Sequence, residues 1–484
     1  MSTRRSLRSL IFVFCAGICL LLAVSDGRAA LLLLPANPIL EPAPNDHQVP
    51  RTASVSITYD EAIDPDSVDV TTFAVFGMES GVFEDTFSVD GGTIRLTPDR
   101  PFHAGELVQV SATTGTLSAA DQLGPARPSV WQFHARADGG SAYFKDSGQE
   151  LGDMNSEAVS LGDLDGDGDL DVFVSGCWPS YIWLNNGQAG FTQSSQVLGV
   201  GFCIVDAALG DLDSDGDLDI LAVRSGEDNL GKIWINVGNA SFTDSGQNVG
   251  SDLGSAVALG DLDGDADLDA VYVRAGSPMV LFNDGNGQFS SSAQSFEDQL
   301  SMDVALGDLN GDNFLDIYVA NASKGDRVYL NNGDGTFTDK VQDLSLSSNN
   351  SVALGDLDGD SDLDVLLAHE VWFNDSNGLF SYSGQTVGTY STNQSCLADL
   401  DADGDLDVFT ANLMAISQVW ANDGTGVFTL TRQFLSEYVQ PFLELGDLDQ
   451  DGDVDAFLAN FSEPATVWIN QNHVYWAFEP VIFK

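Results

Sequence analysis

Seven acidic loops of one pattern recur between residues 163 and 455, and no other feature restricts the fold as strongly. The first runs Asp163-Leu-Asp165-Gly-Asp167-Gly-Asp169-Leu-Asp171, and its counterparts begin at Asp211, Asp261, Asp308, Asp356, Asp399 and Asp447. The steps between them are 48, 50, 47, 48, 43 and 48 residues. A unit of that length is one supersecondary element that cannot bury its apolar face alone, so such units must stack in a row or a ring. Carboxylates at alternate positions of a short loop form the donor set of a hard cation held by oxygen, and Ca²⁺ is the expected ion.

One unit can be laid out over residues 255–290. Residues 256–260 alternate and precede the acidic loop as strand one, 270–273 follow it as strand two, and 280–282 give strand three. Asn283-Asp-Gly-Asn-Gly287 is a hairpin turn and Phe289 opens strand four. Four short antiparallel strands per unit make the blade of a β-propeller. An Asn closes strand three in every unit: Asn185, Asn236, Asn283, Asn331, Asn374, Asn422 and Asn470. Two residues before it stands a large side chain (Trp183, Trp234, Leu281, Tyr329, Trp372, Trp420, Trp468). Six after it stands an aromatic (Phe191, Phe242, Phe289, Phe337, Phe380, Phe428, Trp476). Regular spacing makes these aromatics packing residues between blades rather than a sugar-stacking surface. Phe144 precedes Asp163 by the 19 residues that separate most other fourth-strand Phe residues from the next loop, and Phe144-Lys-Asp-Ser-Gly-Gln149 matches Phe242-Thr-Asp-Ser-Gly-Gln247, so this segment is favoured over its competitor Trp476 as the closing strand of blade seven.

Within each loop, positions 1, 3, 5 and 9 are expected to ligate through side chains and position 7 through its carbonyl. The candidate metal residues are Asp163, Asp165, Asp167, Asp169 and Asp171; Asp211, Asp213, Asp215, Asp217 and Asp219; Asp261, Asp263, Asp265, Asp267 and Asp269; Asp308, Asn310, Asp312, Phe314 and Asp316; Asp356, Asp358, Asp360, Asp362 and Asp364; Asp399, Asp401, Asp403, Asp405 and Asp407; and Asp447, Asp449, Asp451, Asp453 and Asp455. Phe314 carries the position-7 assignment, because a phenyl ring cannot ligate and a carbonyl can. An EF-hand would need an acid at position 12, where Val174 and Ala222 stand inside strands instead. About seven Ca²⁺ sites follow, each stapling a hairpin whose crowded carboxylates repel one another without a cation.

This layout resembles the FG-GAP/VCBS repeat family, best known from the seven-bladed propeller of integrin α subunits. The resemblance covers about 142–470 and implies that the loop joins strands one and two of each blade and binds Ca²⁺. The Phe-Gly and Gly-Ala-Pro elements that name the family are eroded here. Upstream, Asn45-Asp-His-Gln-Val-Pro50, Tyr59-Asp-Glu-Ala-Ile-Asp-Pro65, Pro101-Phe-His-Ala-Gly105 and Val130-Trp-Gln-Phe133 resemble a bacterial Ig-like domain first described in S-layer proteins. Short alternating runs at 53–59, 92–96 and 107–111 agree with a small β-sandwich. Such domains act as spacers or presenters, and no site is expected in this one. The expected fold is thus all-β, an Ig-like sandwich (31–137) followed by a seven-bladed propeller (142–484), with a short linker at 137–141.

Residues 1–30 carry Arg4, Arg5 and Arg8, an apolar run to Val24, and small residues up to Ala30. They are expected to be a cleaved secretory signal rather than an anchor, since the run is shorter than the roughly 20 residues of a span. A secreted or surface-exposed bacterial protein, with no transmembrane segment after cleavage and acting as a monomer, follows as an expectation. With 73 acidic against 18 basic residues, nucleic-acid binding is excluded, because phosphate neutralisation needs clustered Lys and Arg. Cys177, Cys203 and Cys396 are too few for a disulfide framework. Cys177 and Cys203 fall in neighbouring blades on the face opposite the loops, where one bond is geometrically open to them.

That opposite face is where a protein or glycan ligand is expected. Strand two ends there in a polar column, Gly176, Arg224, Arg274, Asn321, His369, Asn412 and Asn460, with Trp178 and Pro179 just beyond. The bland alternative is a row of solvated strand ends. Of His47, His103, His134, His369 and His473, only His369 belongs to that face, and no nucleophile–base grouping is present. No catalytic residue is assigned. The expected role is adhesion or recognition, with a lyase-like polysaccharide enzyme or a lectin as alternatives on the same scaffold.

Overall fold

The computed structural model describes residues 38–472 apart from short interruptions at 84–85, 178, 226–229, 251–253, 298, 323–324, 343, 345–350, 434 and 436–440. The expected signal segment, Trp178, His473 and Trp476 lie outside the described residues. Two four-stranded antiparallel sheets form the sandwich. One orders Ile39–Glu41, Val55–Thr58, Thr93–Leu96 and Phe87–Asp90; the other orders Ser129–His134, Leu107–Ala112, Phe73–Gly77 and Gly81–Val82. Alternation explains the first core: Val108, Val110 and Ala112 face inward with Phe73, Trp131 and Phe133.

Seven blades follow. Their innermost strands are Leu151–Gly162, Cys203–Gly210, Gly254–Gly260, Gln299–Gly307, Val352–Gly355, Thr392–Ala398 and Pro441–Gly446. Each lies against the next, and the seventh returns to the first. Strand two begins at the last Asp of each loop and pairs antiparallel with strand one, for instance Gly210 opposite Asp219. In blade seven, strands two and three run together as Asp455–Asn470. Its fourth strand is Phe144–Asp146, pairing Phe144 with Asn470 and Asp146 with Trp468. The chain thus closes the ring with its own upstream segment and leaves no open edge at the join.

Two columns of side chains tie blade to blade. Each strand-three Asn donates Nδ2 to the carbonyl of the second loop residue in the preceding blade: Asn236 to Leu164, Asn283 to Leu212, Asn331 to Leu262, Asn374 to Leu309, Asn422 to Leu357, Asn470 to Leu400 and Asn185 to Leu448. These bonds measure 2.8–2.9 Å. A second ring uses Gln149, Gln196, Gln247, Gln294, Gln342, Gln385 and Gln433. Each accepts, at 2.8–3.2 Å, the N–H of the next blade's fourth-strand Phe, with Gln433 taking Phe144 and Gln149 taking Phe191. These glutamines stand five residues after the aromatic in every unit, a column the sequence reading passed over. Phe144 packs edge-on against Phe409, as Phe191 does against Phe457.

The sandwich does not act as a spacer held away from the ring. Its second sheet turns Ala74, Phe76 and Val130 into apolar clusters of the propeller and buries Gln109 and Ser111 completely. The polar half of that alternation is therefore an interface rather than a solvated face. Residues 137–141 are docked too: Asp138 N donates to Gly452 O at 2.8 Å and Ser141 N to Asn470 Oδ1 at 3.2 Å.

Candidate functional site

Six of the seven inner strands end in a glycine with almost no room for a side chain, and that of blade six ends in Ala398. A Cβ at Gly210 would lie 2.8 Å from Leu259 Cδ1 and 2.9 Å from Leu268 Cδ1 of the next blade. Immediately beyond it the first loop Asp is buried in every blade. The backbone then turns through positive φ at positions 4 and 6, as at Gly166 (78°) and Gly168 (90°), or Ser214 (61°) and Gly216 (92°). Glycine supplies at least one of the two in each loop, because L side chains resist that region.

The turn wraps amides around the first carboxylate. Asp163 Oδ1 accepts from Gly166 N (2.9 Å) and Asp167 N (3.1 Å), and its Oδ2 from Gly168 N (3.1 Å). At position 9, Asp171 Oδ2 accepts from Leu164 N (3.2 Å) and Oδ1 from Asn185 N (2.8 Å). Asp219 repeats both bonds with Leu212 and Asn236. One carboxylate thereby fixes the loop to strand three, and the same Asn clamps the neighbouring blade.

In five loops position 3 lacks such a partner, whereas Asp401 Oδ1 of loop six accepts from Asp403 N at 3.3 Å. Asp165, Asp213, Asp263, Asp358 and Asp449 each bury Oδ1 with no hydrogen bond. Ligand atoms of Asp163, Asp165 and Asp171 lie within 4.8 Å of one another, as do those of Asp211, Asp213 and Asp219, of Asp261, Asp263 and Asp265, and of Asp356, Asp358 and Asp360. A buried anionic oxygen without a donor is costly, and a hard cation among these oxygens removes that cost, so the residues fit a divalent ion such as Ca²⁺. Loop four departs from the rest: Asn310 Nδ2 donates to Asp316 Oδ2 at 2.9 Å. At position 7, the side chains of Asp169, Asp267, Asp405 and Phe314 pack over the turn glycines Gly187, Gly285, Gly424 and Gly333. Asp453 differs, being fully buried with both carboxylate oxygens unpartnered.

Without a cation, burial pushes the position-9 carboxyls up to about 8 at Asp171, Asp219, Asp316, Asp364 and Asp407. Neighbouring loop carboxylates raise them further, while the Asn and Leu amides oppose the shift.

The sandwich touches all seven loops. Glu79 O accepts from Asp163 N at 2.8 Å, and Val130 N donates to Asn313 O at 3.0 Å. Gly81 sits against Gly216, and Pro128 covers Gly264. Asn45 reaches Ser361 O at 3.5 Å, Gln48 reaches Asp399 Oδ2 at 3.3 Å, and Arg51 lies 3.5 Å from Asp447 Oδ2.

On the opposite face the polar column divides. Asn321, Asn412 and Asn460 are buried, and their Nδ2 atoms close the strand two–three turns onto Gly325 O, Ile416 O and Pro464 O. They are turn clamps rather than solvated strand ends. Arg224 lies 3.7 Å over the Phe202 ring, which stacks on Trp234. Arg274 is half-buried with Nε unpartnered, and His369 meets the ring of Tyr390, which is 96% exposed. A Cys177–Cys203 disulfide joins blades one and two, and Cys396 is free and half-buried.

Sequence reasoning also missed the channel. Asp206, Asp303 and Gln394 stand five residues before the loops of blades two, four and six. Each accepts an amide of the next inner strand, from Val257, Val352 and Leu443 at 2.8–2.9 Å. With Glu444 they line a cavity of about 350 Å³ that His134 of the sandwich also lines. Burial, then Asp206, pushes Glu444 up to about 8.

An FG-GAP-like repeat matches residues 163–222, 211–272, 261–319, 308–367 and 399–458, more than half of the chain and each span running from one acidic loop into the next. The chain belongs to the FG-GAP-like repeat family. A bacterial Ig-like domain matches residues 39–135. No curated protein sequence matches the chain significantly. Among solved structures, an Agrocybe aegerita lectin that recognises non-reducing terminal N-acetylglucosamine is 17% identical, covering 88% of this chain and all of its own, with a TM-score of 0.44. BBS1N in complex with ARL6DN is 12% identical over 70% of this chain and 98% of its own, with a TM-score of 0.46. The FG-GAP repeats, the all-β propeller and the Ig-like domain agree with the sequence expectation. Among the described residues no helix is long and apolar enough to cross a membrane.

Proposed function

We propose that this FG-GAP protein is a secreted, Ca²⁺-stabilised recognition protein that binds its partner on the propeller face opposite the acidic loops. One observation carries the reading: the sandwich lies against all seven loops, so the blades have only their other face to offer. There Arg224 rests on Phe202, and Tyr390 and Met414 are 96% and 77% exposed. The disulfide on that face favours an oxidising, extracellular setting. The cations would be held by the carboxylates of positions 1, 3, 5 and 9, and would supply charge neutralisation to buried oxygens rather than chemistry on a substrate.

Binding without turnover is the assigned activity. The described histidines are dispersed. His47 bonds Gly404 O at 2.8 Å, and His103 is pushed down to about 4 by burial and by Arg51 and Arg100. His134 borders the channel and His369 abuts Tyr390. The test is a glycan and peptide array probed with the Ca²⁺-loaded full chain and with Arg224→Ala and Arg274→Ala. Ligands retained equally by both variants, or degraded by the unaltered chain, would overturn the assignment.

A further inference from the structure

Loops six and seven present their first carboxylate differently from loops one to five. In those five, Oδ1 of the first Asp accepts one to three amides of its own loop. At Asp399 and Asp447 it accepts none and is buried without a partner, although the two residues are only 5% and 1% exposed. What holds these two carboxylates is their other oxygen. Asp399 Oδ2 accepts from Gly404 N at 3.1 Å and from Gln48 Nε2 at 3.3 Å. Asp447 Oδ2 accepts from Gly452 N at 3.1 Å and faces Arg51 Nη1 at 3.5 Å. The donors come from one short strip of the sandwich, residues 47–51. That strip and its neighbourhood also grip the backbone of both loops, with His47 Nε2 on Gly404 O and Asp138 N on Gly452 O, each at 2.8 Å.

We propose that Gln48 and Arg51 are positioning residues for two cation sites in the other domain, so that metal binding in loops six and seven and seating of the sandwich are coupled. This rests on the cation reading above. Donation to Oδ2 leaves Oδ1 free for the ion, in the way that outer partners orient ligands in metal sites generally. Coupling of this kind is reciprocal: an ion that needs the strip in place must also hold the strip in place.

Calorimetric Ca²⁺ titration of the full chain and of Gln48→Ala gives the first readout. One site is expected to weaken by about 10-fold to 100-fold while the others stay unchanged. Amide exchange at Asp138 gives the second, independent of any variant in the strip. It is expected to accelerate in Asp451→Asn, which damages loop seven, and not in Asp215→Asn, which damages loop two. Ca²⁺ binding by the unaltered chain with no change in Gln48→Ala, or equal Asp138 exchange in the two loop variants, overturns the coupling alone. No Ca²⁺ binding by the unaltered chain overturns the coupling and the cation reading together.

Discussion

The two faces of this propeller are built from the same seven blades and obey different rules. On the loop face the anchoring positions repeat in every blade: Asp at position 1 bonded to loop amides, Asp at position 9 bonded to the strand-three Asn, and that Asn clamping the previous blade. On the opposite face the equivalent column changes from Gly176 to Arg224, Arg274, Asn321, His369, Asn412 and Asn460, and its members do different things. Repetition within one chain marks the positions that hold the ring together, since each blade meets the same neighbour geometry. Where blades differ, the ring does not dictate the residue, and local turns or a partner can.

The strongest attempt to break this contrast is removal of divalent ions. A ligand at 100 times its Kd stabilises by about 2.7 kcal/mol per site, so stripping several loops should give the largest loss, read as a fall in melting temperature on adding chelator. A melt indifferent to chelation would reduce the repeated carboxylates to a solvating surface. The metal-free chain should then show a specific pH dependence. Position-9 carboxyls near 8 when folded, against about 3.9 unfolded, mean that the folded chain holds more protons between about pH 4 and 8. Stability of that form therefore falls as pH rises through the window, and its melting point should be higher at pH 5 than at pH 8. Saturating Ca²⁺ should abolish or reverse the trend.

Smaller effects separate the rings from the free face. Asn236→Ala removes the Nδ2 bonds to Leu164 O, which keeps only the Ala240 N–H, and to Leu218 O and should cost about 2–3 kcal/mol in denaturant unfolding. Gln385→Ala, which unties Phe428 N on the more open outer strands, should cost about 1–2 kcal/mol. Arg274→Ala should shift stability by no more than about 0.5 kcal/mol while weakening ligand capture. An unfolding cost at Arg274 as large as at Asn236 would erase the distinction between the faces.

Much of this was legible residue by residue. The Asp columns fixed the loops, the Asn column fixed the end of strand three, and the spacing from Phe144 to Asp163 indicated which segment closes the ring, now seen pairing with Asn470. The Gln column was equally regular and could have been found by extending the match between residues 144–149 and 242–247 to every unit. Gln109 and Ser111 could not have been read correctly, because an alternating strand with polar residues on one face looks the same whether that face meets water or a second domain. Nor could the unlike behaviour of Asp399 and Asp447, whose partners are some 350–400 residues away in sequence.

What the sequence determined by itself was therefore everything governed by short range: strand, loop, turn and the repeat that multiplies them, because period-2 patterning, glycine at positive φ and carboxylate spacing act within one unit. Only the tertiary structure decided which face remains free, by laying the sandwich across the loops. It also decided which carboxylate oxygens are left without a donor, because those outcomes depend on surfaces meeting across the whole chain rather than on neighbours along it.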